Sequence, residues 1–494
     1  MKKFLTAFCA FGVLGLMLGF SLHGRQTKYS RNDPNPVASA ANPLGSFTRF
    51  YDGDPEFCAQ FSVSGYRQNA DSAGNCAGDV VKRNDVGTPT TTPIYIGDMY
   101  SPWNMAALFY TEANGNQDVA TELKTVLNLT DTTGTCLTEE EIEKCLAKMI
   151  LPRNSDPDEL FGFMQAPIGY RKYGIRFDVE IGSPCDFGGY FTLGIAQIRQ
   201  RVCPDFIDLT PDAKDVVTCT TDCTTYTCAK CKDLVGNGIV KQRGLVAETL
   251  ELDLGPYCEA SIDMADLGLY WTHTFIFNRP SETYTTNQAH CTFNPYLMAE
   301  FSPPIGKKRP PEKLLAATFN NNGHTAYGLS GGFVFNFLQT IEFGLDVGFS
   351  RFSQELYENI PVPTQEFQQG ILPRKADARI KPGTNWSCAA TMVAHHFDYH
   401  FTASVEFRLV HHCSDDISIL RTRPLSWATG SFPVSNVDVG KMIEESSWSS
   451  SFVNFGLTYD ITPHVALGFF AQLPVRQRLA YRSTTAMGSV IFTF

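Results

Sequence analysis

The sequence has few charges for its length and, past its first twenty residues, no long apolar run. Only 18% of its 494 residues are charged, and the balance is acidic, with a formal net charge of −11. A chain short of positive charge lacks the basic field that a nucleic-acid reader needs, which excludes phosphate binding as its main work. Beyond Phe20 no uncharged apolar stretch is long enough for a transmembrane helix. A mean hydropathy of −0.13 likewise fits no polytopic helical membrane protein. An aromatic content of 12% excludes a mostly disordered chain. What the sequence does have is 37 Phe, 19 Tyr and 15 Cys. This aromatic, charge-poor, cysteine-bearing composition, neutral in average hydropathy, is the combination to explain.

The first residues point to export. Lys2 and Lys3 precede an apolar run from Phe4 to Phe20, and polar sequence follows at Ser21. That is the layout of a secretory signal peptide, expected over residues 1–21 and followed by an N-terminal segment, 22–56. The competing reading is an uncleaved anchor, for which the run is at the lower limit of spanning length. Loss of Lys2 and Lys3 would leave the mature chain more acidic still.

Period-2 alternation is the signal that repeats. In Tyr173–Ile181 the odd positions are apolar apart from the start, while Arg176, Asp178 and Glu180 fall between. Phe397, Tyr399, Phe401, Val405, Phe407 and Leu409 alternate with Asp398, His400, Glu406 and Arg408. Phe343, Leu345, Val347 and Phe349 alternate with Glu342 and Asp346. Such runs last roughly 9–13 residues, whereas a soluble strand averages about 5–6, so length favours strands that cross a membrane with lipid on one face and water on the other. Short turns such as Asp460-Ile-Thr-Pro-His464 join several of them, and long polar stretches at roughly 201–260, 353–390 and 413–450 separate the hairpins. Thr138-x-x-Glu141 is a capping box opening a helix over Glu139–Ile150, with Val119–Leu127 also helical in pattern. Residues 100–165 are therefore expected to be a helical insert, either an outer loop or a segment folded into the lumen.

The chain ends Gly488-Ser-Val490-Ile-Phe492-Thr-Phe494, with Val490, Phe492 and Phe494 on one face and an aromatic residue last. This resembles the C-terminal strand of Gram-negative outer-membrane β-barrel proteins. The phrase Gly456-Leu-Thr-Tyr-Asp-Ile-Thr-Pro-His-Val-Ala-Leu-Gly468 is similar to a last-hairpin phrase of the same barrels. The resemblance is specific over the last hairpin and terminal strand and thematic elsewhere, nearest to the porin-like, cysteine-rich major outer-membrane proteins of chlamydia-type bacteria. It implies a location in the bacterial outer membrane, with membrane lipid and the barrel-assembly machinery as partners, and Val490, Phe492 and Phe494 as the assembly signal.

Once Cys9 leaves with the signal peptide, an even number of cysteines remains, which in an exported chain favours disulfides. The dense group Cys219, Cys223, Cys228 and Cys231 has partial zinc-ligand spacing, but compartment and the Thr-rich surroundings favour cross-links that brace an exposed loop. Other motifs weigh less. Gly328-Leu-Ser330-Gly-Gly332 matches the hydrolase G-x-S-x-G pattern but leads into a strand, not a helix. His395, His396 and His400 lie on a strand pattern, where four residues span about 13 Å and cannot share one ion. No catalytic constellation, cofactor motif or metal set is recognised, so no enzyme is expected.

The expectation is an all-β protein. Residues 57–494 form a transmembrane antiparallel β-barrel of roughly 12–16 strands, with long outer loops and a short helical insert. Its function is passive diffusion of small hydrophilic solutes, as in a porin. Arg176, Asp178, Glu180, Glu342, Asp346, Asp398, His400, Glu406 and Arg408 are the candidate pore-lining residues. They either set the field that sorts solutes or pair with one another in a narrow, plugged interior. The alternative is a disulfide-stabilised structural or adhesive surface protein with the barrel as anchor. A homo-oligomer and a disulfide-linked envelope partner both remain open from sequence.

Overall fold

A computed structural model describes residues 58–79, 117–127, 168–183, 186–202, 242–277, 291–313, 316–337, 340–364, 370–397, 400–428 and 432–494, with shorter pieces elsewhere. The expected signal peptide, Asp398, and the four cysteines Cys219, Cys223, Cys228 and Cys231 lie outside the described residues, as does the expected helix over 139–150.

A single antiparallel sheet closes on itself. Its strands are β1 (Cys58–Gly74), β2 (Ile168–Gly182), β3 (Phe187–Val202), β4 (Tyr257–Thr272), β5 (Cys291–Ser302), β6 (Ala326–Phe337), β7 (Ile341–Phe352), β8 (Asn385–Phe397), β9 (Phe401–His412), β10 (Trp448–Thr462), β11 (Val465–Arg478) and β12 (Ala480–Thr493). Each pairs with the next, and β12 returns to β1 in register from Gln60↔Thr493 to Gly74↔Ala480. Phe494 completes the seam: its N–H donates to the Ala59 carbonyl at 2.9 Å, and Ala59 N–H donates back at 3.2 Å. The result is a closed 12-strand barrel, in which no sheet edge is left to satisfy.

The barrel is inside out relative to a soluble protein. On β7 the apolar Phe343, Leu345 and Val347 are 50%, 45% and 54% exposed, while Glu342 and Asp346 between them are 0% and 8% exposed. The same inversion holds on β2, where Ile175 and Ile181 face outward and Lys172 and Arg176 are buried. In water this arrangement would forfeit the hydrophobic stabilisation of every outward side chain. In hydrocarbon it is the arrangement a closed barrel requires. Aromatic pairs collect near the strand ends, Phe401 with Tyr459 at one end and Phe349 with Trp386 at the other, where an interfacial girdle belongs. No helix among the described residues is long and apolar enough to cross a membrane.

The two ends differ. β2–β3, β6–β7, β8–β9 and β10–β11 are joined by tight turns at one end, where Phe494 also lies. Long connections gather at the other, outer end, before β2, β4, β6, β8 and β10. Two of these carry structure where polar loops were expected. Strands Glu355–Val362, Arg374–Lys381 and Asp416–Arg423 form a separate three-stranded outer sheet. It has its own small core of Val362, Ala376, Ile417, Phe432, Val437 and Met442. Its strands lack clean alternation, since Arg374 to Ala378 are buried on both faces while much of Glu355–Val362 and Asp416–Arg423 is open, so period-2 reading passes over them.

Among the described cysteines the disulfide expectation finds no support. Cys76, Cys258, Cys291, Cys388 and Cys413 are all free. Cys258 on β4 and Cys388 on β8 are exposed on strands four apart, and neighbouring strands are about 4.8 Å apart, so a bond needing Cα atoms within about 7 Å is out of reach.

Glycines inside the barrel seat tyrosines. Tyr190 lies directly opposite Gly268 and Tyr270 opposite Gly188, a reciprocal pair between β3 and β4. A Cβ on Gly268 would stand 2.0 Å from the Tyr190 ring, and one on Gly188 2.2 Å from the Tyr270 ring. Tyr66 lies over Gly174 in the same way. Gly268→Ala is therefore expected to cost about 1–3 kcal/mol by overpacking. The loss should vanish in a Tyr190→Ala background, as read by the midpoint of heat-modifiable gel migration. Equal losses in both backgrounds would contradict the packing.

Candidate functional site in the barrel interior

Alternation sends every second residue of each strand inward, and the charged ones meet there in local pairs. On β2, Arg176 Nε and Nη2 donate to Asp178 at 2.8 and 2.6 Å, and Thr192 of β3 donates to the same carboxylate at 2.7 Å. On β9, Arg408 donates to Glu406 at 2.9 and 3.1 Å, with Asn454 of β10 adding a third bond at 2.7 Å. Both pairs join residues two apart on one strand, which share a face. Glu180 follows Asp178 on that face. Asp346 accepts from the Tyr296 hydroxyl at 2.6 Å. Glu342 accepts from Asn336 at 3.0 Å and stands 3.0 Å from His395 Nε2. His400 is placed elsewhere: it is exposed in the β8–β9 turn, its ring beside Tyr459 on the outer face.

The deepest ion pair was not among the sequence candidates. Lys172 on β2 donates to Asp263 on β4 at 2.9 Å, both side chains 0% exposed. Tyr66, from β1, donates to the other Asp263 oxygen at 2.6 Å, so the contact spans four strands of wall. Asp263 points inward because the β4 register shifts there, sending Asp263 and Met264 to the same side. Lys172 also donates to the Thr318 carbonyl at 3.2 Å. Thr318 belongs to the β5–β6 connection, which folds into the barrel: Ala316, Ala317, Phe319 and Asn321 are all buried, and Gln200 of β3 accepts the Ala317 N–H at 2.9 Å. Counting Asp263 and Glu300 with the residues above, carboxylates outnumber Lys172, Arg176 and Arg408 on the interior face, which makes it acidic.

The outer mouth is filled by other connections. Helix α1 (Gln117–Leu127) buries Val119, Ala120, Leu123 and Leu127 as one stripe, with Asp118 in its first turn and Lys124 in its last, each of the favourable sign for the helix dipole. It packs on helix α2 (Arg243–Thr249). One apolar cluster joins these helices to Trp103, Phe319, Ile371 and Leu425, and to inward-facing Tyr66, Tyr170, Ile198, Met264 and Phe470 of the wall. The described part of the expected insert, α1 with Trp103 and Leu108, thus packs on inward-facing residues of the wall and forms a plug. The outer sheet holds it from above: Arg374 pairs with Asp118 at the start of α1, and Lys375 donates at 2.6 Å to Glu251 just past α2.

Two groups make this mouth sensitive to acid. Burial pushes the Glu251 carboxyl up, but hydrogen bonds from Lys375 and Ser426 outweigh it and hold it below its ordinary value. Its contribution is present above the ordinary value and is lost as pH falls through the lowered one. His324, in the β5–β6 connection, donates from Nδ1 to the Ser353 carbonyl at 2.7 Å and faces Tyr357 with Nε2. Burial lowers it to about 4. A neutral histidine of this kind stabilises fully above its ordinary 6.5, and that stability is lost as pH falls from there to about 4. Protection of residues 316–325, with the intrinsic pH dependence of exchange divided out, is expected to fall between pH 7.5 and pH 4.5, and that of residues 374–381 only below pH 4.5. His324→Gln should remove the part of that change above pH 5; unchanged protection would contradict the reading.

Sequence comparison brings in no relative: no protein-family model matches the chain, and no curated protein does. Among solved structures the chain is similar to an outer membrane channel from Pseudomonas putida F1, with a TM-score of 0.41 at 6% identity, over 90% of this chain and 98% of that one. It is also similar to the translocator domain of the autotransporter NalP from Neisseria meningitidis, with a TM-score of 0.30 at 6% identity over 91% and 93%. A mutant of the monoaromatic hydrocarbon channel TodX matches with a TM-score of 0.30 at 8% identity over 96% of each chain. None of the three is a cysteine-rich protein of the chlamydia type, and at these scores the chain's function has to be argued from its own geometry.

Proposed function

We propose that the protein is an outer-membrane channel for small polar solutes, held shut at its outer mouth by the plug. The observation that carries this reading is the polar, acidic interior face enclosed by an apolar outer face. An anchor alone has no need to bury so many charges, each of which costs several kcal/mol to desolvate even when paired. Aqueous contact along the lumen, once the plug gives, relieves that cost. Because interior carboxylates exceed cations, the open lumen favours cations over anions. The apolar plug supports a second reading, in which the cargo has an apolar part that lodges between α1, α2 and the wall.

Liposome swelling tests the two. Vesicles holding the refolded protein are expected to swell in small neutral and cationic solutes faster than in anions of equal size. Glu342→Gln with Asp346→Asn should narrow the difference between cation and anion. Vesicles that stay impermeable to every polar solute would overturn the channel for polar cargo, and binding of an apolar probe by the same preparation would favour the second reading.

A further inference from the structure

Seven consecutive strands place a polar side chain inward in one cross-strand row. The register runs Lys172, Gln68, Thr485, Gln472, Asn454, Glu406 and Thr391, each directly opposite the next. All are 7% exposed or less. The two charged members of the row are engaged by protein: Lys172 by Asp263 and Thr318, Glu406 by Arg408, Asn454 and Thr391. The centre is not. Both polar atoms of the Gln68 amide, both of the Gln472 amide and the Thr485 hydroxyl have no hydrogen-bond partner, and all three side chains are 0% exposed.

Buried polar groups without partners are costly and rare, so two amides and a hydroxyl on adjacent strands call for something to bond them. Directly opposite residues stand about 4.5–5.5 Å apart between Cβ atoms, close enough for one small molecule to reach all three. The adjoining inward row on the same strands is Tyr66, Met487 and Phe470, paired in register and buried. A line of neutral donors and acceptors therefore runs beside an aromatic and thioether step. Charged groups near it are already satisfied, so they select against ions, which would have to displace a formed pair.

From this juxtaposition we infer that Gln68, Thr485 and Gln472 form a binding site for an uncharged, hydroxyl-rich solute of sugar-like chemistry. Its hydroxyls exchange bonds with the amides and, once the plug that packs on Tyr66, Met487 and Phe470 withdraws, its C–H face rests on those three. The inference rests on the channel reading for access, but binding itself is measured apart from transport.

The test is titration calorimetry on the refolded full chain in detergent, with maltose as the neutral probe and sodium gluconate and glucosamine hydrochloride as charged probes. Maltose is expected to give saturable heat and the charged probes none. Thr485→Val, which keeps the shape and loses the hydroxyl, and Gln472→Leu should each weaken maltose about tenfold, the effect of losing one bond in a buried site. Folding of each variant is confirmed by heat-modifiable migration, and the valine variant carries the test if the leucine one does not fold. No saturable heat with maltose, unchanged affinity in both variants, or binding of a charged probe in its place would overturn the site, leaving ordered water as what the row holds. Saturable maltose heat in a protein that leaves vesicles impermeable would keep the site and sink the channel.

Discussion

Lys172→Met is expected to destabilise the barrel by about 3–5 kcal/mol, because it strands the Asp263 carboxylate in a fully buried place. The Tyr66 hydroxyl alone would then face that charge. The same substitution cuts the bond to the Thr318 carbonyl, which pins the inward-folded β5–β6 connection. Loss of stability and release of the connection should therefore appear together. A double variant, Lys172→Met with Asp263→Leu, removes both charges and should recover most of the loss, since apolar replacement of a buried pair is often neutral or better. Thermal midpoints of heat-modifiable migration in detergent give the comparison. If the double variant is as unstable as the single, the pair is not the source of the cost.

The second large effect is expected at the plug. Trp103 is wholly buried and lies against Gly370, whose φ of +76° is one that other residues adopt only under strain, and where a Cβ would stand 2.1 Å from the indole. Trp103→Ala should cost about 3–5 kcal/mol of local packing, the usual effect of removing a large buried aromatic. Gly370→Ala attacks the same contact from the other side, by strain and overlap. Both should loosen the plug while leaving the twelve-strand wall intact. Protease sensitivity is expected to rise in the plug and outer sheet, with the wall as resistant as before. A uniform loss across the chain would mean that plug and wall unfold as one unit.

Much of the wall can be read from the sequence, and the reason is local. β2, β7 and β9 carry one apolar face and one charged face, so period-2 alternation alone orients Arg176, Asp178, Glu342, Asp346, Glu406 and Arg408. Lys172 sits two positions before Gly174 on the same face and is reached by extending the β2 run past Tyr173 toward its start. Other features depend on what lies across the sheet. The tyrosine–glycine seats and the row of Gln68, Thr485 and Gln472 exist only once register is known, because each partner comes from a different strand. Asp263 faces inward through a register shift that no period predicts. The plug is harder still to foresee. Ile96, Met99 and Trp103 fall at i, i+3 and i+7, a helical spacing, yet Trp103 lies in the short strand Trp103–Asn104 and is buried by distant segments. The loop cysteines invite cross-links on compartment alone, yet the five described ones are free, and Cys258 and Cys388 lie on strands too far apart to bond.

The central claim is that this barrel encloses an aqueous path stopped by a removable plug. Single-channel recording in planar bilayers tests it most directly, with wild-type and Trp103→Ala proteins that both show folded, heat-modifiable migration. Brief, stepwise, salt-dependent openings are expected for the wild type. The variant should show a several-fold higher open probability, each open level favouring cations. Silent bilayers for both folded proteins would contradict it and leave the barrel an anchor for its outer face.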